Sequence, residues 1–472
     1  MTGRQFLFAG LCLLLVLSPL QYGGNRPWSM AAIQIAAAML AAGIAITLVR
    51  DPKSYLPYFT PLRSALILAG LVVVWCLVQT VSWTPSGLHH PVWALAGEAL
   101  TTRIDGAIAV RPDMAWFKAM LNLSYLVVFV AAFMVCLDNT AARRVLLLCI
   151  LCPAAYGAYG LVLKTFGLVH SPLPPSLDHL NLNTEAFGLP GPFANSGHFA
   201  FYLIMGLTCA GALFVQRARR VRFEGRWQMR LGQGIEAVMG HGLPVLAVIF
   251  MLISAVVLGA SRAGLLMLLG SVVLLGTAFW FKLSRRGRPV LAAGALVLVL
   301  PTLLLVLQLS GERVSEELSR TLTGEDFLAL RFIVWEQSLR MIGDAPVLGA
   351  GLESFADLHP LYSEGGPARL HFHQAHNEYL DTAVALGLPA TVLWFAALAR
   401  IYGICLHGVL MRSRRLHYVL APAVVMTLAA LHGFVDFSLE IPANALLFSV
   451  LMGMGCAQAG DNAASRRRQG LE

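Results

Sequence analysis

Between His371 and Ala390 the chain reads HFHQAHNEYLDTAVALGLPA. Three histidines, a glutamine, an asparagine and two carboxylates run directly into an apolar segment. A histidine just ahead of a helix meets the positive end of the helix dipole, which favours the neutral imidazole. Neutral imidazole accepts a proton from a hydroxyl, so His376 is the candidate general base. Asn377 and Glu378 are placed to cap or line the first turn. Gly387, Leu388 and Pro389 permit close packing or a kink. The H-x-H-x-x-H spacing of His371, His373 and His376 is not one of the defined zinc signatures, so no metal is expected.

Further ionisable residues gather toward the same boundary. Arg262 follows VLGAS, Arg331 lies in a long polar segment, and Asp436 and Glu440 stand in HGFVDFSLEIPANALLF. Ionisable groups in or beside membrane segments are costly unless they pair or function. Each also has a plainer reading: Arg262 as an interfacial anchor, Arg331 on a solvated helix face, Asp436 paired structurally with an arginine, His432 satisfied inside the bundle. Arg340 lies nine residues beyond Arg331, about 180° around a helix, so it points to the surface if Arg331 points to a site. Two arginines beside a base imply an anionic ligand, because the guanidinium fork matches phosphate oxygens. LGAGLESF has no strand–helix context for a dinucleotide.

The elements that must carry these residues are membrane helices. The 472 residues are 57% hydrophobic and 12% charged, against about 25% charged in soluble domains. Twelve apolar spans are read, near 5–20, 28–49, 62–82, 115–137, 145–168, 195–215, 242–260, 264–281, 289–309, 380–404, 418–436 and 440–458, each near the roughly 20 residues a bilayer requires. The division is a bundle over 1–309, a large loop with amphipathic helices over 310–379, three spans over 380–460 and a tail over 461–472. In the loop, Glu312/Glu316 and Arg313/Glu317 have helical spacing. With the N-terminus inside, the inner segments hold 21 Lys and Arg and the outer ones nine. This bias orients both termini to the cytoplasm. The net charge of +9 is therefore topology signal and excludes a nucleic-acid partner. The eight cysteines all fall in or beside apolar runs. They read as small packing residues, with no disulfide framework or structural zinc.

Three stretches then carry a resemblance: AHNEYLDTAVALGLPA (375–390), RFIVWEQSLRMIGDAPVLGAGLESF (331–355) and HGFVDFSLEIPANALLF (432–448). With GLPGPFANSGHFAFYLIM (188–205) and GASRAGLL (259–266), they resemble the O-antigen ligase and O-antigen polymerase superfamily. The resemblance covers roughly residues 188–450. It implies a C-type glycosyltransferase-like, all-α polytopic fold in the bacterial inner membrane, with the site on the periplasmic face. The implied donor is a glycan on undecaprenyl diphosphate. The implied acceptor is a glycan or lipid A core, and no cofactor is needed. The family histidine falls on His376 and its arginines on Arg262 and Arg331. Asn195, Asn377, Glu378 and Asp436 are taken as substrate-binding. The motifs do not separate a ligase from a polymerase of lipid-linked repeat units or from a protein oligosaccharyltransferase. A lipid-linked-glycan transporter is the non-enzyme alternative. Internal repeats and charges near the membrane midplane would favour that reading.

Overall fold

The computed structural model describes residues 3–167, 189, 191–219, 225–237, 242–259, 261–282, 325–363, 372–412 and 414–460. All regular structure among them is helical. Among the described residues, seven helices are long and apolar enough to cross a membrane: Pro27–Arg50, Pro52–Val78, Pro112–Cys136, Asn139–Thr165, Ser196–Ala218, Leu388–Met411 and Pro442–Ala459. Four shorter apolar helices, Gly3–Leu17, Leu243–Leu258, Arg262–Ala278 and His417–His432, coincide with four more of the twelve expected spans. The ninth, 289–309, lies outside the described residues, as does the expected helix around Glu312.

Pro442–Ala459 and Ser196–Ala218 form the centre of the bundle, with 94% and 83% of their apolar windows buried, against 22% for Leu388–Met411. Small residues permit this. Gly453 lies against the Pro112–Cys136 helix, where a side chain would collide with the Phe129 carbonyl. Without a hydrophobic force between helices in lipid, such close backbone approach is what holds a membrane bundle together. Leu388–Met411 packs at the periphery against Arg63–Val78.

The expected tenth span, 380–404, is two helices rather than one. Glu378–Leu386 ends at Gly387, and Leu388–Met411 begins there. Gly387 has φ 74° and ψ 162°, a region essentially restricted to glycine. Pro389 sits in the first turn of the second helix, where its missing N–H costs nothing. The chain break opens backbone groups that a neighbouring strap satisfies. Leu388 N donates to Pro346 O at 2.8 Å, Ala350 N to Val384 O at 2.9 Å and Gly351 N to Ala385 O at 2.9 Å. Gln79, fully buried, spans both segments, donating to Leu348 O at 2.7 Å and Ala385 O at 2.9 Å.

This strap closes a small unit at one end of the bundle. The Glu325–Asp344 helix lays Val334 and Met341 against Phe355, Leu358, Ala375 and Val384. Trp335 Nε1 donates to Ala375 O at 3.0 Å, which fixes the residue preceding His376. The expected eleventh span, 418–436, also ends early, at His432. Asp436 therefore stands in the connection to Pro442–Ala459, not inside a span.

A buried carboxylate shared by three histidines

Asn195 begins the central helix. Its side chain accepts from Gly197 N at 2.7 Å, capping Ser196–Ala218. Gly197 leaves room beside the cap. A Cβ placed there would lie 3.1 Å from Asn195 Oδ1, 3.4 Å from Ser261 Oγ and 3.5 Å from Asp436 Oδ2. Ser261 accepts from Gly264 N at 3.2 Å, so the helix that opens with Arg262 is held against the same point. Gly264 is required there, since a Cβ would come within 2.7 Å of Ala200 Cβ.

Asp436 is the hub of the cluster, 7% exposed. His198 Nε2 lies 3.4 Å from its Oδ1, His376 Nδ1 3.6 Å from the same oxygen, and His432 Nε2 3.7 Å from Oδ2. Burial opposes the Asp436 charge, but His198 and His376 against its oxygens hold its pKa well below the usual carboxylate range. The group is thus a fixed anion. Phe437 packs edge-on to His198 at 4.8 Å and against His376 at 5.0 Å. Phe201 stacks on His432 at 5.6 Å.

His376 is the most accessible of the three histidines, with 37% of its side chain exposed against 5% for His198 and 3% for His432. Its backbone is left-handed, φ 52°, an uncommon state for a non-glycine residue and a costly one. Asn377 holds that turn. Its Oδ1 caps Tyr379 N and Leu380 N at 3.1 and 3.2 Å, and its Nδ2 donates to Phe434 O at 3.3 Å. Glu378 N donates to Gly433 O at 2.8 Å. The 376–378 segment is thereby tied to the segment that carries Asp436.

Arg331 reaches the same centre from the outer unit. Burial pushes its pKa down, and the charges of Asp436 and Arg262 both act on it. Arg331 thus lies within electrostatic reach of both Asp436 and Arg262. Arg340 turns the other way, 57% exposed and paired with Glu336 at 2.7 Å. His371 lies outside the described residues, and His373 is exposed.

The structure brings Arg262, Arg331, His376 and Asp436 together. It places Asn195 and Asn377 as helix caps beside them. Glu378 lines a separate cavity with Lys118 and Glu440. Sequence reasoning left His198 unassigned and took His432 as a bundle histidine. The signal for His198 was its place three residues after the capping Asn195, on the first turn of a helix otherwise apolar there.

No curated protein matches the chain. Residues 246–395, which include Arg262, Arg331 and the His376–Glu378 turn, match the model of the O-antigen ligase family, and in that segment the chain is similar to the O-antigen ligase and polymerase superfamily.

Proposed function

We propose that the protein transfers a glycan from undecaprenyl diphosphate to an acceptor hydroxyl at the periplasmic face, as an O-antigen ligase-like enzyme. The observation that carries this reading is His376 Nδ1 facing the buried, ionised Asp436 at 3.6 Å, with Arg262 and Arg331 alongside. A carboxylate at Nδ1 selects the tautomer in which Nε2 is free to accept a proton. The contact is longer than a hydrogen bond, as such contacts commonly are before substrate binds.

In this mechanism Nε2 of His376 takes the proton from the acceptor hydroxyl. The oxygen attacks the anomeric carbon in line and inverts it. The bond to the diphosphate oxygen breaks, and its electron pair leaves with undecaprenyl diphosphate. Arg262 and Arg331 bind the diphosphate and stabilise the charge that grows on it, a role divalent cations fill elsewhere. The apolar bundle holds the prenyl chain, and the outer unit closes over the sugars.

The test is transfer by purified protein from a defined lipid-linked donor, with the anomeric configuration of the product read by NMR. Turnover is expected to survive chelator, with an inverted product. His371→Ala and His373→Ala are expected to keep substantial turnover. Loss of activity on chelation together with equal loss in both variants overturns the metal-independent mechanism. A polymerase of lipid-linked repeats uses the same chemistry, and the acceptor that supports turnover separates the two. Transport of the intact donor across vesicles without cleavage would favour the transporter instead.

A further inference from the structure

A cavity of about 540 Å³ lies between the Pro112–Cys136, Leu388–Met411, His417–His432 and Pro442–Ala459 helices, and none of Arg262, Arg331, His376 or Asp436 lines it. This is the size of a small-molecule site. Its walls are apolar, from Val72, Leu121, Trp394 and Phe448, and one end is polar, with Lys118, Glu353, Gln374, Glu378, Asp381 and Glu440. Lys118 Nζ lies 2.6 Å from Glu353 Oε1, and Gln374 donates to Glu440. Four carboxyl groups thus face one ammonium. Burial raises the pKa of Glu378 and of Glu440; the Glu440 carboxylate raises that of Glu378 further, and the Glu353 carboxylate that of Glu440.

Two buried polar atoms there have no hydrogen-bond partner among the described residues. Asp381 is 8% exposed; its Oδ1 accepts from Ala375 N at 2.8 Å, while its Oδ2 is unsatisfied. The Tyr125 hydroxyl, also in the lining, is unsatisfied too. Buried polar groups left in this way are costly and point to a missing partner. The one ammonium is already paired with Glu353, so this end offers a phosphate no spare cation, and its carboxyl oxygens suit a hydroxyl. The polar end is also close along the chain to the chemistry. Gln374 and Glu378 stand two residues either side of His376, and Glu440 stands four beyond Asp436.

We propose that this cavity is the acceptor site, taking an uncharged, hydroxyl-bearing sugar head on an apolar chain. Asp381 and Glu440 accept hydrogen bonds from the head, and the chain occupies the space between the helices. The diphosphate of the donor stays with Arg262 and Arg331, so the two substrates are sorted by charge on either side of His376. This inference rests on the glycosyl-transfer reading above.

The test uses full-length protein in nanodiscs and a decyl β-glucoside with a photoreactive diazirine in its chain. Crosslinks mapped by mass spectrometry are expected on the segments bearing Val72, Leu121, Trp394 and Phe448. Unlabelled decyl glucoside is expected to displace the probe, and decyl phosphate is not. Asp381→Asn and Glu440→Gln each turn an acceptor into a donor and are expected to weaken labelling about tenfold. Either variant suffices should the other elute as aggregate. Arg262→Ala is expected to abolish transfer and leave labelling intact. Labels scattered over lipid-facing helices, or equal displacement by decyl phosphate, overturn the site while leaving the transfer reading standing. Cavity labelling in a protein that transfers nothing from any lipid-linked donor overturns the acceptor role through failure of the transfer reading itself.

Discussion

At the scale of single residues, one carboxylate organises the site. Asp436 holds three imidazoles within 3.4–3.7 Å, yet only His376 is exposed enough to meet a substrate. A general base contributes about 10²–10⁴-fold, so His376→Ala should lower turnover by that order with the protein still folded and inserted. Glutamine should not rescue it, because an amide cannot take the proton near neutral pH. A glutamine variant near wild type would leave His376 as a hydrogen-bond donor to the diphosphate. Asp436→Asn keeps the shape and removes the anion that orients the imidazole. Its turnover should fall by a similar about 10²–10⁴-fold, while Asp436→Glu keeps part. An asparagine variant with wild-type turnover would make Asp436 a packing residue only.

At the scale of elements, helix faces and one glycine decide what reaches the site. Arg331 shares its face with the buried Val334, and Arg340 shares its with the exposed Glu336 and Ile333. Arg331→Ala and Arg262→Ala should each remove most transfer, with lysine restoring a part, because it supplies charge without the planar fork. Arg340→Ala should be mild, since its exposed pair with Glu336 is worth little. Equal losses at 331 and 340 in the same turnover assay would contradict the helix face assigned here. Gly387→Ala forces a side chain into a glycine-only backbone state and onto the Val347 carbonyl. The cost should be about 1–3 kcal/mol, read as a lower thermal midpoint with a loosened 345–351 strap. An unchanged midpoint would show that the break does not depend on Gly387.

At the scale of the whole molecule, the charged groups collect at one end of an apolar bundle. Arg262 opens a helix, His198 stands on the first turn of another, His432 ends a third, and Asp436 precedes a fourth. From the uneven distribution of Lys and Arg we propose that this end faces the periplasm. Reporter tags at positions 225, 286 and 414 should give cytoplasmic signals, and tags at 100, 180 and 320 periplasmic ones. A cytoplasmic signal from 320 would place the site on the wrong side for the proposed chemistry.

Much of this was legible in the sequence, because membranes impose a strong rule: apolar runs of a set length must be helical, since no water is present to satisfy their backbone. The positions of the spans, the charge bias and the local turn chemistry of His376-Asn377-Glu378 follow from neighbours along the chain. The helical period alone separated Arg331 from Arg340. What the sequence left undecided depends on approach between distant segments. It did not determine that the tenth span breaks at Gly387, because the break is stabilised by Pro346, Leu348 and Gln79 from elsewhere. Nor did it tell that Glu378 turns to a cavity with Lys118 and Glu440 while His376, two residues earlier, turns to Asp436. His198 lies 238 residues from Asp436 in the chain, and no local period links them. Only the packing of two helix starts against one connecting turn made that carboxylate a shared hub, because a buried charge must find its partners in space wherever the fold supplies them.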